Sequence, residues 1–281
     1  MSYSRIKSFA KINLALNITG KSFELHKIES IISFIDLHDI ILIKRSNNKN
    51  HKVKFNGEFS QNIKKKNTIS KLLDILEVKN LLKNIKYEIV IKKNIPSEAG
   101  LGGGSMNAAN VLKFLIKKNI INIPNKEIIE ISNLIGSDVI LGMYSKNLVI
   151  NSDNRIKEFL SIKNIHTLIV KPNFGCSTKK IYSGVKIFTK AKFNRPNKNM
   201  FSFKFLKRMN NDLELIAFKK YPKLNTLKVF LEKLSNVKFV RMTGSGSAVI
   251  AYFSSNKLCK EAEKKVKKQF RNCWCKTAKT I

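Results

Sequence analysis

Between residues 95 and 105 the chain reads Ile-Pro-Ser-Glu-Ala-Gly-Leu-Gly-Gly-Gly-Ser, with a strand-like stretch before it and a helix-like stretch after it. Glycines reach backbone conformations closed to other residues, so N–H groups can be left facing an anion, and a helix N-terminus adds positive partial charge. These residues spell a phosphate cradle. It is not a P-loop, because no Gly-x-x-x-x-Gly-Lys-Ser/Thr occurs, and not Gly-x-Gly-x-x-Gly, because Asn107 stands three residues beyond Gly104. A flexible strand-to-helix turn is the alternative reading.

Other chemistry-bearing residues are sparser. Lys11 is one of 54 lysines and arginines, most of them solvated charges, but it sits in an apolar strand-like segment, 9–16, where an unpaired ammonium is costly to bury. Asp138, ahead of residues 139–143, reads by itself as a helix N-cap, as do Ser105 and Asn67 before their helices. Gly244 and Gly246 make a tight Thr-Gly-Ser-Gly-Ser turn between two strand-like runs, a hairpin on the plainest reading. The four cysteines, Cys176, Cys259, Cys273 and Cys275, suit free thiols better than a disulfide framework, and a single Cys-x-Cys pair is a weak zinc signal. The histidines, His26, His38, His51 and His166, are scattered, so no metal site built from the protein is expected.

The bulk numbers bound what such residues could serve. A chain of 281 residues, 43% hydrophobic, with mean hydropathy -0.18, can bury a full core. It holds no run of about 18 apolar residues and no secretory leader, which points to a cytoplasmic protein with no membrane partner. Its formal charge of +35 and isoelectric point near 10.1 raise the question of a polyanionic partner. The lysines, however, are spread along the whole chain beside abundant Asn and Ile, as in 62–67, 79–86 and 117–122. That is the imprint of a biased composition, and with no aromatic-basic RNA signature, nucleic acid is not the expected partner. A basic field still attracts nucleotides and phosphate esters.

Periodicity places these residues on an alternation of strands and helices. Strands are expected at 9–18, 30–35, 39–44, 53–55, 87–92, 166–171, 237–242 and 248–253. Helices are expected at 67–78, with Ile69, Leu72, Leu73 and Leu76 at helical spacing, and at 106–118, 125–135, 202–209, 225–234 and 256–270. Residues 188–199, basic and without pattern, read as a mobile surface loop. The sum is an α+β protein, divided into residues 1–156 and 157–281.

Taken together, Pro96, Ala99, Gly100, Leu101, Gly102, Gly103, Gly104 and Ser105 resemble the ATP-binding motif of the galactokinase, homoserine, mevalonate and phosphomevalonate (GHMP) kinases. Three further signatures follow in family order: Ala10-Lys11-Ile12-Asn13-Leu14, Gly136-Ser137-Asp138-Val139, and Thr243-Gly244-Ser245-Gly246-Ser247. Within the family, Gly20 to His26, the acidic pair Asp36 and Asp39, 171–178 with Tyr182, and 210–214 are similar to the diphosphocytidyl-methylerythritol kinases. The chain departs from their usual pattern at Leu25, where tyrosine is common, and at Met106 and Ile140.

The resemblance implies a two-domain GHMP kinase fold, with an N-terminal domain like ribosomal protein S5 domain 2 and a ferredoxin-like C-terminal domain. It implies ATP with Mg²⁺, and a small-molecule substrate, a cytidine diphosphate-linked methylerythritol, phosphorylated on its 2-hydroxyl in isoprenoid precursor synthesis. Lys11 and Asp138 become catalytic residues; Pro96 and 99–105 bind ATP, with Ser105 reaching a phosphate or its Mg²⁺; Asn13, His26, Tyr182, Gly244 and Gly246 bind substrate. A monomer or homodimer is compatible with it. Another kinase of the family, acting on mevalonate or homoserine, is the nearest alternative. A basic nucleic-acid-binding protein on a degenerate kinase fold is the more distant one.

Overall fold

The computed structural model describes residues 2–23, 25–61, 63–144, 146–160 and 162–281, with the side chain of Leu25, one of the departures noted above, outside the described set. Two long paired strands open the chain, β1 (Ser4–Ser22) and β2 (Leu25–Ser46), where three shorter ones are expected. Residues 19–22, 25–29 and 36–38, left out of the expected strands, are strand as well, and buried polar residues within the pair find tertiary partners. Asn17 Nδ2 donates to Glu29 at 2.8 Å and Asn13 Nδ2 to Ser30 Oγ at 2.9 Å, so the ladder continues through them.

The chain divides into two compact units. The first comprises Met1–Ala10, Leu37–Ser97 and Gly102–Ser145. In it β3 (Lys52–Asn56) pairs in parallel with β4 (Lys86–Lys92), which pairs antiparallel with residues 40–46 of β2. On β4, Tyr87, Ile89 and Ile91 are buried and alternate with more exposed neighbours, the period of two expected of a half-buried strand. Against that face lie Leu72, Leu73 and Leu76 of α1 (Thr68–Val78), Val111, Leu112 and Leu115 of α2 (Gly103–Lys117), and Ile131 of α3 (Asn125–Ile135). Asn67 does cap α1: its side chain accepts from Ile69 and Ser70, while Ser70 Oγ accepts from the Asn67 N–H at 2.9 Å.

The second unit comprises Lys11–Asp36, Glu98–Leu101 and Lys146–Ile281. Here β5 (Asn147–Ile150) pairs with residues 30–32 of β2 and with β6 (Ile156–Phe159). A four-stranded antiparallel sheet is formed by β7 (His166–Lys171), β8 (Phe239–Met242), β9 (Val249–Phe253) and β10 (Trp274–Lys279), in the order β10-β7-β9-β8. Four helices separate β7 from β8: α4 (Thr178–Tyr182), α5 (Phe203–Lys207), α6 (Glu214–Lys220) and α7 (Pro222–Glu232). A fifth, α8 (Asn256–Gln269), joins β9 to β10. Strand, helices, hairpin, helix, strand, with the first and third strands central, is the ferredoxin-like arrangement. Its core packs Leu168, Val170, Val249, Ala251 and Phe253 of the sheet against Leu227, Leu231, Ala262 and Val266 of the helices.

Short elements with weak local pattern, β5, β6, α4, α6 and β10, are absent from the sequence-based expectation. Residues 188–199 correct it in another way. They are irregular up to a 3-10 turn at Lys198–Phe201, but not loosely held: Phe193 is fully buried, and the N–H groups of Lys192 and Phe193 donate to the Glu29 carboxylate at 2.7 and 2.9 Å. No helix among the described residues is long and apolar enough to cross a membrane.

Candidate active site

Lys11 and Asn13 stand two residues apart on β1, so both side chains leave the same face of the strand. Lys11 is 4% exposed and its Nζ donates to Asn13 Oδ1 at 2.7 Å. Asn13 is held in turn: its Nδ2 is bound by Ser30 Oγ, which donates to the Ala15 carbonyl at 2.6 Å, and its N–H donates to Thr243 Oγ1 at 3.0 Å. Thr243 spends its hydroxyl hydrogen on the Gly100 carbonyl at 3.2 Å, and the Lys11 N–H reaches the Leu101 carbonyl at 3.0 Å. One network thus ties the signature lysine to the start of the glycine loop and to the C-terminal glycine turn.

Backbone contact between those two glycine segments is tight. Gly100 has φ +74°, and a Cβ placed there would lie 1.9 Å from the Thr243 carbonyl oxygen, so only glycine fits. Ser247 and Ala248 donate to the carbonyls of Glu98 and Ala99 at 3.1 and 3.2 Å. From behind, Asn211 Nδ2 donates to the carbonyls of both Met242 and Gly244 at 2.8 Å, and Glu214 accepts the Met242 N–H at 2.7 Å. Arg241 fans out to the carbonyls of Leu14, Leu206 and Met209. The 210–214 motif is therefore the scaffold of the glycine turn.

His26 and Tyr182 meet, ring centroids 5.3 Å apart at 50°. Burial, aided by the charge of Lys21, holds the His26 pKa below its ordinary 6.5, so the ring is neutral at pH 7 with one donor and one acceptor nitrogen. Tyr182 ends α4, whose first residue, Thr178, shares a hydrogen bond of 2.9 Å with Ser245 of the glycine turn. Lys171 supports the loop before α4 by donating to the carbonyls of Pro172 and Phe174, both at 3.0 Å.

In the first unit, α2 opens at Gly103 with Gly102, at φ +69°, in the N-cap position and no side chain to cap it. Ser105 is the third helical residue, so it is not the N-cap. The N–H groups of Gly103, Gly104 and Ser105 lie in the first turn, where a helix supplies no acceptor of its own, which suits them to an anion. Asp138 lies half-buried in the turn before Ile140–Met143, and the N-cap position there belongs to Val139, so Asp138 is not that cap either. Gly142 seats this turn on α2, since a Cβ there would come within 2.4 Å of Ala109 Cβ.

The structure thus places Lys11, Asn13, His26, Ala99, Gly100, Leu101, Tyr182, Gly244 and Gly246 in the second unit, and Pro96, Gly102, Gly103, Gly104, Ser105 and Asp138 in the first. Thr243 and Asn211 sit inside recognised motifs yet carry supporting roles that the motifs alone do not disclose; Ser30 had no local signal at all. Among the described residues no three His, Cys, Asp or Glu side chains converge on a metal position.

Comparison with known proteins gives the family and the fold. The profile of the GHMP kinases N terminal domain matches residues 67–146, and that of the GHMP kinases C terminal domain residues 193–272. The chain is 54% identical over 281 residues, all of both chains, to the 4-diphosphocytidyl-2-C-methyl-D-erythritol kinase of Pelagibacter ubique (strain HTCC1062). It is 31% identical to that of Thermodesulfovibrio yellowstonii, covering 98% of this chain and 97% of the other. A crystal structure of 4-(cytidine 5'-diphospho)-2C-methyl-D-erythritol kinase superposes with a TM-score of 0.76 at 21% identity, covering 98% and 99% of the two chains. A homoserine kinase from Cytophaga hutchinsonii does so with a TM-score of 0.71 at 15% identity, covering 99% and 94%.

Proposed function

We propose that this chain, which belongs to the GHMP kinases, transfers the γ-phosphoryl group of ATP to the 2-hydroxyl of 4-diphosphocytidyl-2-C-methyl-D-erythritol, a step in non-mevalonate isoprenoid precursor synthesis. Use of ATP comes with the family. The observation that carries the catalytic reading is the buried ammonium of Lys11, fixed by Asn13, which Thr243 of the glycine turn holds in place. A buried ammonium held in one geometry is suited to stabilise the negative charge that a transferring phosphoryl group carries.

Phosphoryl transfer to an alcohol passes through a loose transition state, so alignment and charge neutralisation matter more than covalent work. In this reading Asp138 orients the substrate hydroxyl and accepts its proton late, while Lys11 balances charge on the phosphoryl oxygens. The N–H groups of Gly103, Gly104 and Ser105, with Pro96 and residues 99–102 shaping the loop, cradle the ATP phosphates. Mg²⁺ would ride on those phosphates and neutralise them, and the Ser105 hydroxyl is a hard oxygen donor suited to it. Neutral His26 reads the cytosine edge, Tyr182 flanks the base, Asn13 holds the methylerythritol end, and the turn of Gly244 and Gly246 closes over the substrate. Along the sequence the two kinase domains take residues 1–156 and 157–281, whereas the compact units interleave, the second also taking Lys11–Asp36 and Glu98–Leu101. The protein acts as a cytoplasmic monomer or homodimer, and nucleic acid is not among its partners.

The test is ADP release by the purified protein with ATP, Mg²⁺ and the cytidine substrate, run beside mevalonate and homoserine. Turnover confined to the cytidine substrate, falling about 10²–10⁴-fold in Asp138→Asn, is the expected result. Turnover of another alcohol instead would discard the substrate, and full activity in the variant would remove Asp138 from its role.

A further inference from the structure

The glycine loop has two ends, and one carboxylate grips both. Asp39 on β2 is fully buried. Its Oδ1 accepts the backbone N–H groups of Asn94 at 2.7 Å and Ile95 at 2.8 Å, the last residues before Pro96. Its Oδ2 accepts Asn107 Nδ2 at 2.8 Å, from the second turn of α2 beyond the loop, and also the ammonium of Lys93. Lys93 is itself buried, and its Nζ would lie 3.2 Å from a Cβ on Gly103, directly against the first residue of α2.

Four donors converging on two oxygens is the full lone-pair capacity of a carboxylate, which no amide or hydroxyl in that place would match. Asn107 reinforces the reading. It is 1% exposed, and its Oδ1 has no hydrogen-bond partner among the described residues, so the amide is poorly employed as packing and well employed as a donor to Asp39. Entry strand, buried cation and exit helix are all fixed by the same side chain.

We infer that Asp39, together with Lys93, is a positioning residue for ATP: it sets the span between the two ends of the loop, and with it the direction in which the N–H groups of Gly103, Gly104 and Ser105 point. The inference rests on that loop being the ATP phosphate cradle. A misplacement of phosphate donors by about 1 Å can cost up to about 10²-fold, so loss of this grip is felt in ATP affinity before it is felt elsewhere.

Calorimetric titration of the full chain with Mg-ATP, and separately with the cytidine substrate, tests this in three variants. Asp39→Asn is expected to weaken ATP about ten-fold or more while the cytidine substrate changes less than about two-fold. Asn107→Ala removes only the exit contact and is expected to weaken ATP about three-fold; if Asp39→Asn does not fold, this variant decides alone. A purely structural Asp39 would lower the melting temperature or the binding-competent fraction and leave both affinities at the wild-type value, which overturns the proposal. Gly102→Ala, at the left-handed N-cap of α2, is the loop control. ATP weakened in the control but not in the other two overturns the role of Asp39 alone. Wild-type ATP affinity in all three overturns the loop as the ATP site, and the proposal with it.

Discussion

Two glycine-rich segments, 100–105 and 243–247, look interchangeable in composition and are used in opposite ways. The first ends in a helix whose opening turn, Gly103, Gly104 and Ser105, has N–H groups without intrahelical acceptors, and Gly104 is exposed. The second is closed on itself and on its surroundings. Gly246 donates to the Thr243 carbonyl at 2.9 Å, Asn211 takes the Met242 and Gly244 carbonyls, and Gly100 is pressed against Thr243. Glycine in the helix start keeps donors open for a ligand; glycine in the turn, and at position 100, lets the backbone approach itself. Substitution should therefore separate into loss of ATP affinity at one segment and loss of stability at the other.

The harshest way to test that division is Gly100→Ala. Its Cβ would overlap the Thr243 carbonyl and its φ of +74° disfavours any side chain, so destabilisation of about 3–5 kcal/mol is expected in denaturant unfolding. A wild-type unfolding midpoint would show that the two segments do not press together in solution. Asn211→Ala comes next: it strips partners from two buried carbonyls and from the Leu213 N–H, which donates to Asn211 at 3.0 Å, and should cost about 3 kcal/mol. Because the turn would be loosened and not removed, a rise in KM for the cytidine substrate should accompany it, with KM for ATP little changed.

Gly104→Ala inverts the pattern. Its position is helical and exposed, with only Thr68 Oγ1 at 3.3 Å from a new Cβ, so stability should hold or rise by up to about 1 kcal/mol while KM for ATP climbs several-fold. Equal losses of stability at Gly100 and Gly104 would erase the distinction.

The smallest effect concerns pH, through the helix that Thr178 fastens to the closed turn. His26 has its pKa below 6.5 when folded, by burial first and Lys21 second. Affinity for the cytidine substrate should thus stay flat from about pH 8 down to the ordinary histidine value and weaken a few-fold only as pH falls through the lowered one. The stability linkage has the same sign: the unfolded chain takes up the proton first, so the contribution is intact above 6.5 and lost as pH drops through the folded value. KM measured across that range, beside His26→Gln, which should be flat throughout, checks it.

Much of this was legible in the chain itself. The glycine loop, the strand carrying Lys11 and Asn13, the aspartate segment and the Thr243–Ser247 turn stand out because each is a local pattern, set by backbone freedom or by an apolar run around one polar residue. The α1 register follows from Ile69, Leu72, Leu73 and Leu76, and α3 was expected at the residues it occupies. The unbroken length of β1 and β2 was not legible, because residues 19–22, 25–29 and 36–38 are largely polar and carry no strand signal of their own, and it is the tertiary pairing of β1 with β2 that extends them. Residues 188–199 looked mobile for the same reason: the Glu29 carboxylate that holds Lys192 and Phe193 lies more than 160 positions away in sequence.

By itself, then, the sequence determined the kinase family, the order of its motifs and the identity of the groups that could do chemistry, since these depend on residue type and short-range spacing. Only the tertiary structure decided which polar side chains are supports. Thr243 holding Asn13, Asn211 holding the glycine turn and Asp39 holding both ends of the loop are contacts between segments tens to hundreds of residues apart, and a buried hydrogen bond leaves no periodic trace in the chain that makes it.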